Sequence, residues 1–173
     1  MAAHKKIILV GPAGAGKDFI KSKFHEKGFI CDVSYTTRKP REGEKYGEDY
    51  NFISRSEFTL RISQGAFYEH IKHGEYFYGT GLYEWNNSDV FIMETDGIAH
   101  IKAEDRPNCL VIFINTPLEI RRKRLEERGW NEIKIMNRIN IDQQKFNVIA
   151  FMDFDFQISS VSYSQGLPNF NKM

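Results

Sequence analysis

The residues of this chain best suited to chemistry are Gly11, Gly14, Gly16 and Lys17, within the stretch GPAGAGKD at positions 11–18. Glycine at these positions lets the backbone curl, so that successive N–H groups of Ala13, Gly14, Ala15, Gly16 and Lys17 point inward at one anion. The lysine brings a point charge to the terminal phosphates of a nucleotide, and a following helix adds its positive end. The apolar run KKIILV before the loop and helical spacing after it are the context that marks a phosphate-binding loop. The last position departs from the pattern: Asp18 stands where a serine or threonine hydroxyl normally ligates Mg²⁺. A carboxylate is also a hard oxygen ligand for Mg²⁺, directly or through water. Alternatively, Asp18 favours the first turn of the helix through its dipole.

A phosphotransferase must hold a second phosphate opposite the first. The segment SYTTRKPRE places Arg38 and Arg41 three residues apart, flanked by Ser34, Thr36 and Thr37, with Tyr50 shortly after. Two guanidinium forks with hydroxyls suit a phosphomonoester. Taken alone, the same residues also describe a solvated basic loop.

The elements that must carry these groups follow from periodicity. KKIILV ending at Gly11 reads as a central parallel strand, KDFIKSKFHEKG as a helix stopped by Gly28, and FICDVS as a second strand. That order is a βαβ unit. Residues 34–81 change character: a polar, proline- and glycine-punctuated loop is followed by a short helix opened by the Ser54…Glu57 capping box. Two aromatic runs joined at KHGE then read as a hairpin. The core resumes with strands in VFIMETDG and CLVIFINTP. Two amphipathic helices split at Gly129-Trp130 follow, then a last strand in FDFQIS and an irregular tail over 161–173. The expected fold is α/β: a P-loop core of residues 1–33 and 82–160 with a parallel five-stranded sheet flanked by helices. A small β-rich acceptor lobe spans 34–81, and a helical lid about 124–138.

Composition excludes several classes. The 173 residues carry a formal charge of +1, which gives no whole-molecule field for nucleic acid. No apolar run reaches the roughly 18 residues of a membrane span, and IILV is shorter than the core of a secretory signal. A cytoplasmic protein with no nucleic-acid or membrane partner is expected. Cys31 and Cys109 lack ligand spacing and read as buried, reduced thiols. No heptad or apolar stripe compels association, which leaves monomer or homodimer.

The blocks SYTTRKPREGE, GEDYNFIS, GAFYEH, GEYFYGT and RKRLEERG, in this order over residues 5 to about 158, resemble the guanylate kinase family. The resemblance implies transfer of the ATP γ-phosphoryl group to GMP or dGMP, with ATP as co-substrate and Mg²⁺ as cofactor. It implies that Arg38, Arg41, Tyr50 and Tyr78 hold the GMP phosphate and that Glu69 accepts from guanine N1–H and the 2-amino group. Ser34 and Thr80 would donate to O6, and Asp96 would reinforce the amino contact. Arg124, Arg128 and Arg138 match the lid arginines, with Arg124 on the ATP side and Lys17, Arg38, Arg128 and Arg138 catalytic. Arg121, Arg122 and Lys123 read as a solvated face paired with nearby glutamates. ETDG matches the family's DIDxQG, which suggests Glu94 and Asp18 for Mg²⁺. The chain departs from the family at Asp18, in a shortened stretch from Thr80 to Glu94, at Trp130, and at Ser159-Ser160 with no final helix after them. Asp18 also resembles the loop of ribose 1,5-bisphosphate phosphokinases. A catalytically silent module gripping a phosphorylated partner is the alternative from another class.

Overall fold

The computed structural model describes residues 5–146, 154–159 and 161. The tail and Ser160 therefore lie outside the described residues, apart from Val161. Strand β1 (Lys6–Val10) lies inside a parallel sheet between β6 (Val90–Ile92) and β7 (Cys109–Ile114), with β8 (Phe156–Ile158) beyond β7. Both faces of this sheet are covered, which is why its strands read as unbroken apolar runs. Ile7, Leu9, Val90, Ile112 and Ile114 meet Ile20 and Phe24 of α1 (Lys17–Glu26). Ile8, Val10, Phe91, Val111 and Phe113 pack on the other face around Trp85. Alternate residues of β1 thus serve opposite faces, as the two-residue period of a strand requires.

The described sheet has four strands where five are expected. FICDVS touches it through an isolated parallel bridge of Cys31 to Val90. Asp32 N–H donates to the Val90 carbonyl at 2.9 Å, and by Tyr35 the chain has entered a different sheet. The segment crosses between the two layers, so only a brief pairing fits at the edge. Both cysteines are free thiols, with Cys109 buried and Cys31 partly so.

The second sheet holds β2 (Tyr35–Thr36), β3 (Asn51–Phe52), β4 (Phe67–His73) and β5 (Tyr76–Gly81) in the order β3-β2-β5-β4. The hairpin β4–β5 turns at Gly74, whose φ of 61° lies in the left-handed region that glycine adopts without strain. Helix α2 (Arg55–Ser63) begins at Ser54, whose Oγ accepts from Glu57 N–H at 3.1 Å, one half of the expected capping box. Its Phe58 is fully buried, stacked on Phe67 at 4.4 Å and tilted against Phe77 at 5.5 Å. That aromatic cluster ties α2 to both strands of the hairpin.

Two short helices return the chain to the core. Trp85 of α3 (Leu82–Asn87) stacks on Tyr68 with ring centroids 3.7 Å apart. Gly97 of α4 (Thr95–Ile98) lies against β4 so closely that a Cβ there would sit 3.1 Å from Glu69 Oε2. Helices α5 (Leu118–Glu127) and α6 (Glu132–Phe146) pack through Leu125, Ile135 and Ile139, together with Ala13 and Trp130. Among the described residues no helix is long and apolar enough to cross a membrane.

Truncating Phe58 removes the centre of the small lobe. Phe58→Ala should lower unfolding free energy by about 3–5 kcal/mol, read from a urea transition followed by circular dichroism.

Candidate functional site

Gly11 ends β1 where a Cβ would meet the Ile114 carbonyl oxygen at 2.7 Å, so no larger residue lets the loop leave the sheet at this angle. Gly14 has φ +74°, and its backbone lies on α5: a Cβ there would fall 2.8 Å from the Arg121 carbonyl oxygen. Gly16 takes the left-handed conformation as N-cap of α1, with no side chain capping the helix. The first N–H groups of α1 are thereby left for an external anion. Carbonyls of the loop are held from behind. Thr116 Oγ1 donates to Ala15 O at 2.8 Å, and Arg124 Nη1 to Gly14 O at 3.0 Å. Lys17 Nζ donates to Gly11 O at 2.6 Å. Burial pulls its pKa below the ordinary lysine value, opposed by the charges of Glu94 and Asp18.

Across the cleft, Arg38 is buried and its guanidinium grips Glu44 with both forks, at 2.8 and 2.9 Å. Glu44 also accepts from Arg41 N–H at 2.7 Å, while the Arg41 guanidinium stays 3.7 Å away and half exposed. The Arg38 guanidinium lies over the Tyr50 ring at 5.5 Å, and Tyr50 meets Tyr78 edge to face at 6.2 Å. Burial pushes the Tyr50 phenol far above its ordinary pKa, so it acts as a neutral hydroxyl.

The two anion-binding groups open into one cavity of about 140 Å³. Its walls include Ala13 to Asp18 on one side, Ser34, Arg38, Arg41, Tyr50, Glu69 and Tyr78 on the other, and Glu94, Arg128 and Arg138 between them. A wider cleft of about 1110 Å³ adjoins it, sharing Asp18, Arg41, Tyr50, Arg128 and Trp130. Of the residues expected from sequence, Gly11 and Arg124 stand behind the phosphate loop. Thr80 stands behind Glu69, and Asp96 lies outside the lining, half exposed and paired with Lys145 at 2.9 Å.

Glu69 is buried at the inner end of the cavity. Its Oε1 accepts from Thr80 N–H at 3.2 Å and Thr80 Oγ1–H at 2.9 Å. Burial raises its pKa to about 7, and the Thr80 hydrogen bonds oppose that rise. Ser34 also reaches the cavity, with its hydroxyl donating to Asp32, a carboxylate buried behind it.

At the seam, Arg138 Nε lies 2.9 Å from Asp142 Oδ1 as an ion pair, and Nη2 lies 3.6 Å from Glu94. Asp142, 2 % exposed, turns its other oxygen to the Ala13 N–H at 2.8 Å. One carboxylate thus joins the loop at Ala13 to Arg138 of α6. Arg138 also contacts His73 Nε2 at the end of β4, and Lys145 Nζ sits 3.3 Å from His73 Nδ1. His73 titrates below its ordinary value, chiefly through burial.

Sequence reasoning missed Asp142, Glu44, His73 and Asp32. The four-residue spacing of Arg138 and Asp142 on a helix was a usable signal; the contact of Asp142 with Ala13, 129 residues away, had none. Arg121 corrects the expectation of a solvated face. It is buried, its Nε donating to Thr116 O at 3.1 Å and its Nη1 3.8 Å from Asp142. Arg121 and Leu125, four residues apart, mark the side of α5 that turns inward. Arg122 does sit on the solvated side, paired with Glu126 and Glu132.

The guanylate kinase family model matches residues 3–165. A guanylate kinase of Aster yellows witches'-broom phytoplasma is 34% identical over 171 residues, covering 89% of this chain and 80% of that protein. One of Bdellovibrio bacteriovorus is 30% identical over 98% of this chain and 95% of its own. The guanylate kinase of Sus scrofa is 33% identical over 75% of this chain and 70% of its own. The crystal structure of guanylate kinase from Anaplasma phagocytophilum superposes with a TM-score of 0.61, covering 92% of this chain and 79% of that one at 25% identity. With a phosphate loop facing a guanidinium clamp across one cavity, and a family match over nearly its whole length, the chain belongs to the guanylate kinase family.

Proposed function

We propose that this chain transfers the γ-phosphoryl group of ATP to GMP or dGMP, giving ADP and GDP or dGDP. The observation that carries this reading is the shared cavity: backbone amides with Lys17 at one end, Arg38, Arg41, Tyr50 and Tyr78 at the other, Arg128 and Arg138 between. Phosphoryl transfer asks a protein chiefly to align attacking and leaving oxygens and to offset charge on the group in flight. The phosphate loop holds the donor's phosphates through its N–H groups. Arg41, Tyr50 and Tyr78 grip the acceptor phosphate, with Arg38 exchanging part of its bond to Glu44 for it. The acceptor phosphate oxygen attacks the γ-phosphorus directly, and Arg128 and Arg138 neutralise the equatorial oxygens. Lid helices α5 and α6 close over the wide cleft and exclude water.

Mg²⁺ fits these residues. Glu94 Oε2 is buried without a hydrogen-bond partner, and Asp18 faces the same cavity. No group of three or more acidic, histidine or cysteine ligands forms among the described residues. That suits an ion that takes most of its ligands from phosphates and water. Asp18 and Glu94 would hold the hydrated ion, which supplies charge neutralisation for the polyphosphate. At the base end, the Glu69 carboxylate accepts from guanine N1–H and the 2-amino group, two donors that adenine does not present together.

In an ADP-release assay over nucleoside monophosphates, GMP and dGMP should be turned over faster than AMP, CMP and UMP. Lys17→Ala should lower kcat at least about a hundredfold. Equal rates with AMP refute the guanine assignment, and binding without turnover identifies a silent module.

The free-enzyme pKa of Glu69 sets a pH dependence. Its carboxylate is the competent form, and the value raised to about 7 keeps it largely protonated at pH 6. The kcat/KM for GMP should therefore rise about fivefold from pH 6 to 7 and less than about twofold from 7 to 8. Glu69→Gln should flatten this limb.

Removing the carboxylate shared by Ala13 and Arg138 strands buried charge. Asp142→Ala should lose about 3–5 kcal/mol of stability, measured by urea unfolding, and Asp142→Asn, which can still accept from Ala13, should lose less.

A further inference from the structure

Two hydroxyls, that of Ser34 lining the cavity and that of Thr80 behind Glu69, are candidates to read position 6 of a purine, and each has already committed its proton. Thr80 Oγ1–H donates to Glu69 at 2.9 Å, and Ser34 Oγ–H donates to Asp32 Oδ2. A serine hydroxyl has one proton and two lone pairs. With the proton turned toward Asp32, Ser34 offers the cavity acceptor lone pairs. Guanine O6, itself an acceptor, finds no partner there, whereas an amino group at the same position does.

The proton is held firmly because of where Asp32 lies. It is 1% exposed, and its other oxygen, Oδ1, is buried with no hydrogen-bond partner. The Ser34 hydroxyl therefore supplies the carboxylate with a hydrogen bond that burial makes expensive to lose. Lys21 donates to the backbone carbonyl of Asp32 and its charge favours the carboxylate, as the Ser34 hydrogen bond does more strongly, while Glu84 contributes a like charge. Turning Ser34 outward to serve a 6-oxo group strips a desolvated anion of this donor.

We propose that Asp32 is a specificity-determining residue: by holding the Ser34 proton it makes the acceptor pocket accept a 2,6-diaminopurine nucleoside monophosphate alongside dGMP. This rests on reading the cavity as the acceptor-nucleotide site. The 2-amino group, common to guanine and diaminopurine, keeps its acceptor in Glu69; adenine lacks it. The bare N1 of diaminopurine needs a donor, and a protonated Glu69 carboxyl provides one. Burial, with Asp32 adding like charge, outweighs the Thr80 hydrogen bonds that favour the carboxylate and leaves Glu69 partly protonated at neutral pH.

The test is steady-state kinetics at pH 7 with dGMP and with 2,6-diaminopurine deoxyribonucleoside 5′-monophosphate. It compares the wild-type chain, Ser34→Ala and Asp32→Ala, with thermal unfolding to verify each fold. The wild type should show kcat/KM values for the two substrates within about tenfold of each other. Ser34→Ala should lower the diaminopurine value about tenfold more than it lowers the dGMP value. Asp32→Ala, which frees the Ser34 proton, should swing the ratio about tenfold toward dGMP. Brisk dGMP turnover with a diaminopurine value more than about tenfold lower overturns the proposal. So does a Ser34→Ala variant that loses dGMP preferentially, because Ser34 then acts as a donor. Should Asp32→Ala fail to fold, the sign of the Ser34→Ala effect still decides. Absence of turnover with either substrate instead removes the kinase reading itself, and this inference with it.

Discussion

A cavity built to receive two polyanions gathers positive charge that must be held together before they arrive. Lys17, Arg38, Arg128 and Arg138 all line a space of about 140 Å³, with Arg121 and Lys145 close behind. In a medium less polarisable than water, their mutual repulsion is large. The chain answers with carboxylates set among them. Glu44 fills the fork of Arg38, Asp142 sits between Arg138 and the phosphate loop, and Glu94 lies 3.6 Å from Arg138. Each is a partner that a phosphate can replace or share. The site is thereby shaped for its ligands by internal anions, and its arginines keep productive directions without them.

That constraint organises the elements around it. The core sheet delivers the phosphate loop at the end of β1, and the next parallel strand on one side, β6, delivers Glu94 at its own carboxyl end. The small sheet presents Glu69 on β4 and Tyr78 on β5, and α4 braces Glu69 through the close approach of Gly97. Arg128, at the C-terminal cap of α5, and Arg138 of α6 come from opposite sides of the Gly129 turn. Asp142, on α6, bonds the loop at Ala13 directly, so the position of that helix and that of the loop are not independent.

At the Glu69 end of the cavity, hydrogen-bond direction is set by neighbours and not by residue type. Ser34 and Thr80 are residue types that can donate or accept, and nothing in their identity says which. Neighbours decide: Asp32 and Glu69 take their protons. Asp96, matched by its motif to the base, instead pairs with Lys145 on α6. A long cationic side chain from a helix far along the chain reaches it first.

Local features were legible from the residues alone, because the physics that produces them is local. A continuous apolar run, glycines at the start of a helix, a capping serine and a glycine turn act over a few residues, and each appears where periodicity and turn chemistry put it. The fifth strand failed because strand formation at a sheet edge depends on where the chain must go next, and here it crosses to the second sheet at Tyr35. The burial of Arg121, the grip of Glu44 on Arg38 and the bridge from Asp142 to Ala13 depend on which faces of distant elements meet. The sequence by itself determined the phosphate loop, the α/β core, the small lobe and the two sets of basic residues. Only the tertiary structure decided that these sets share one cavity, which carboxylates hold them apart, and which way the hydroxyls at the base end point. Charge and hydrogen bonding between groups far apart in sequence are settled by distance in space, and no spacing along the chain encodes that distance.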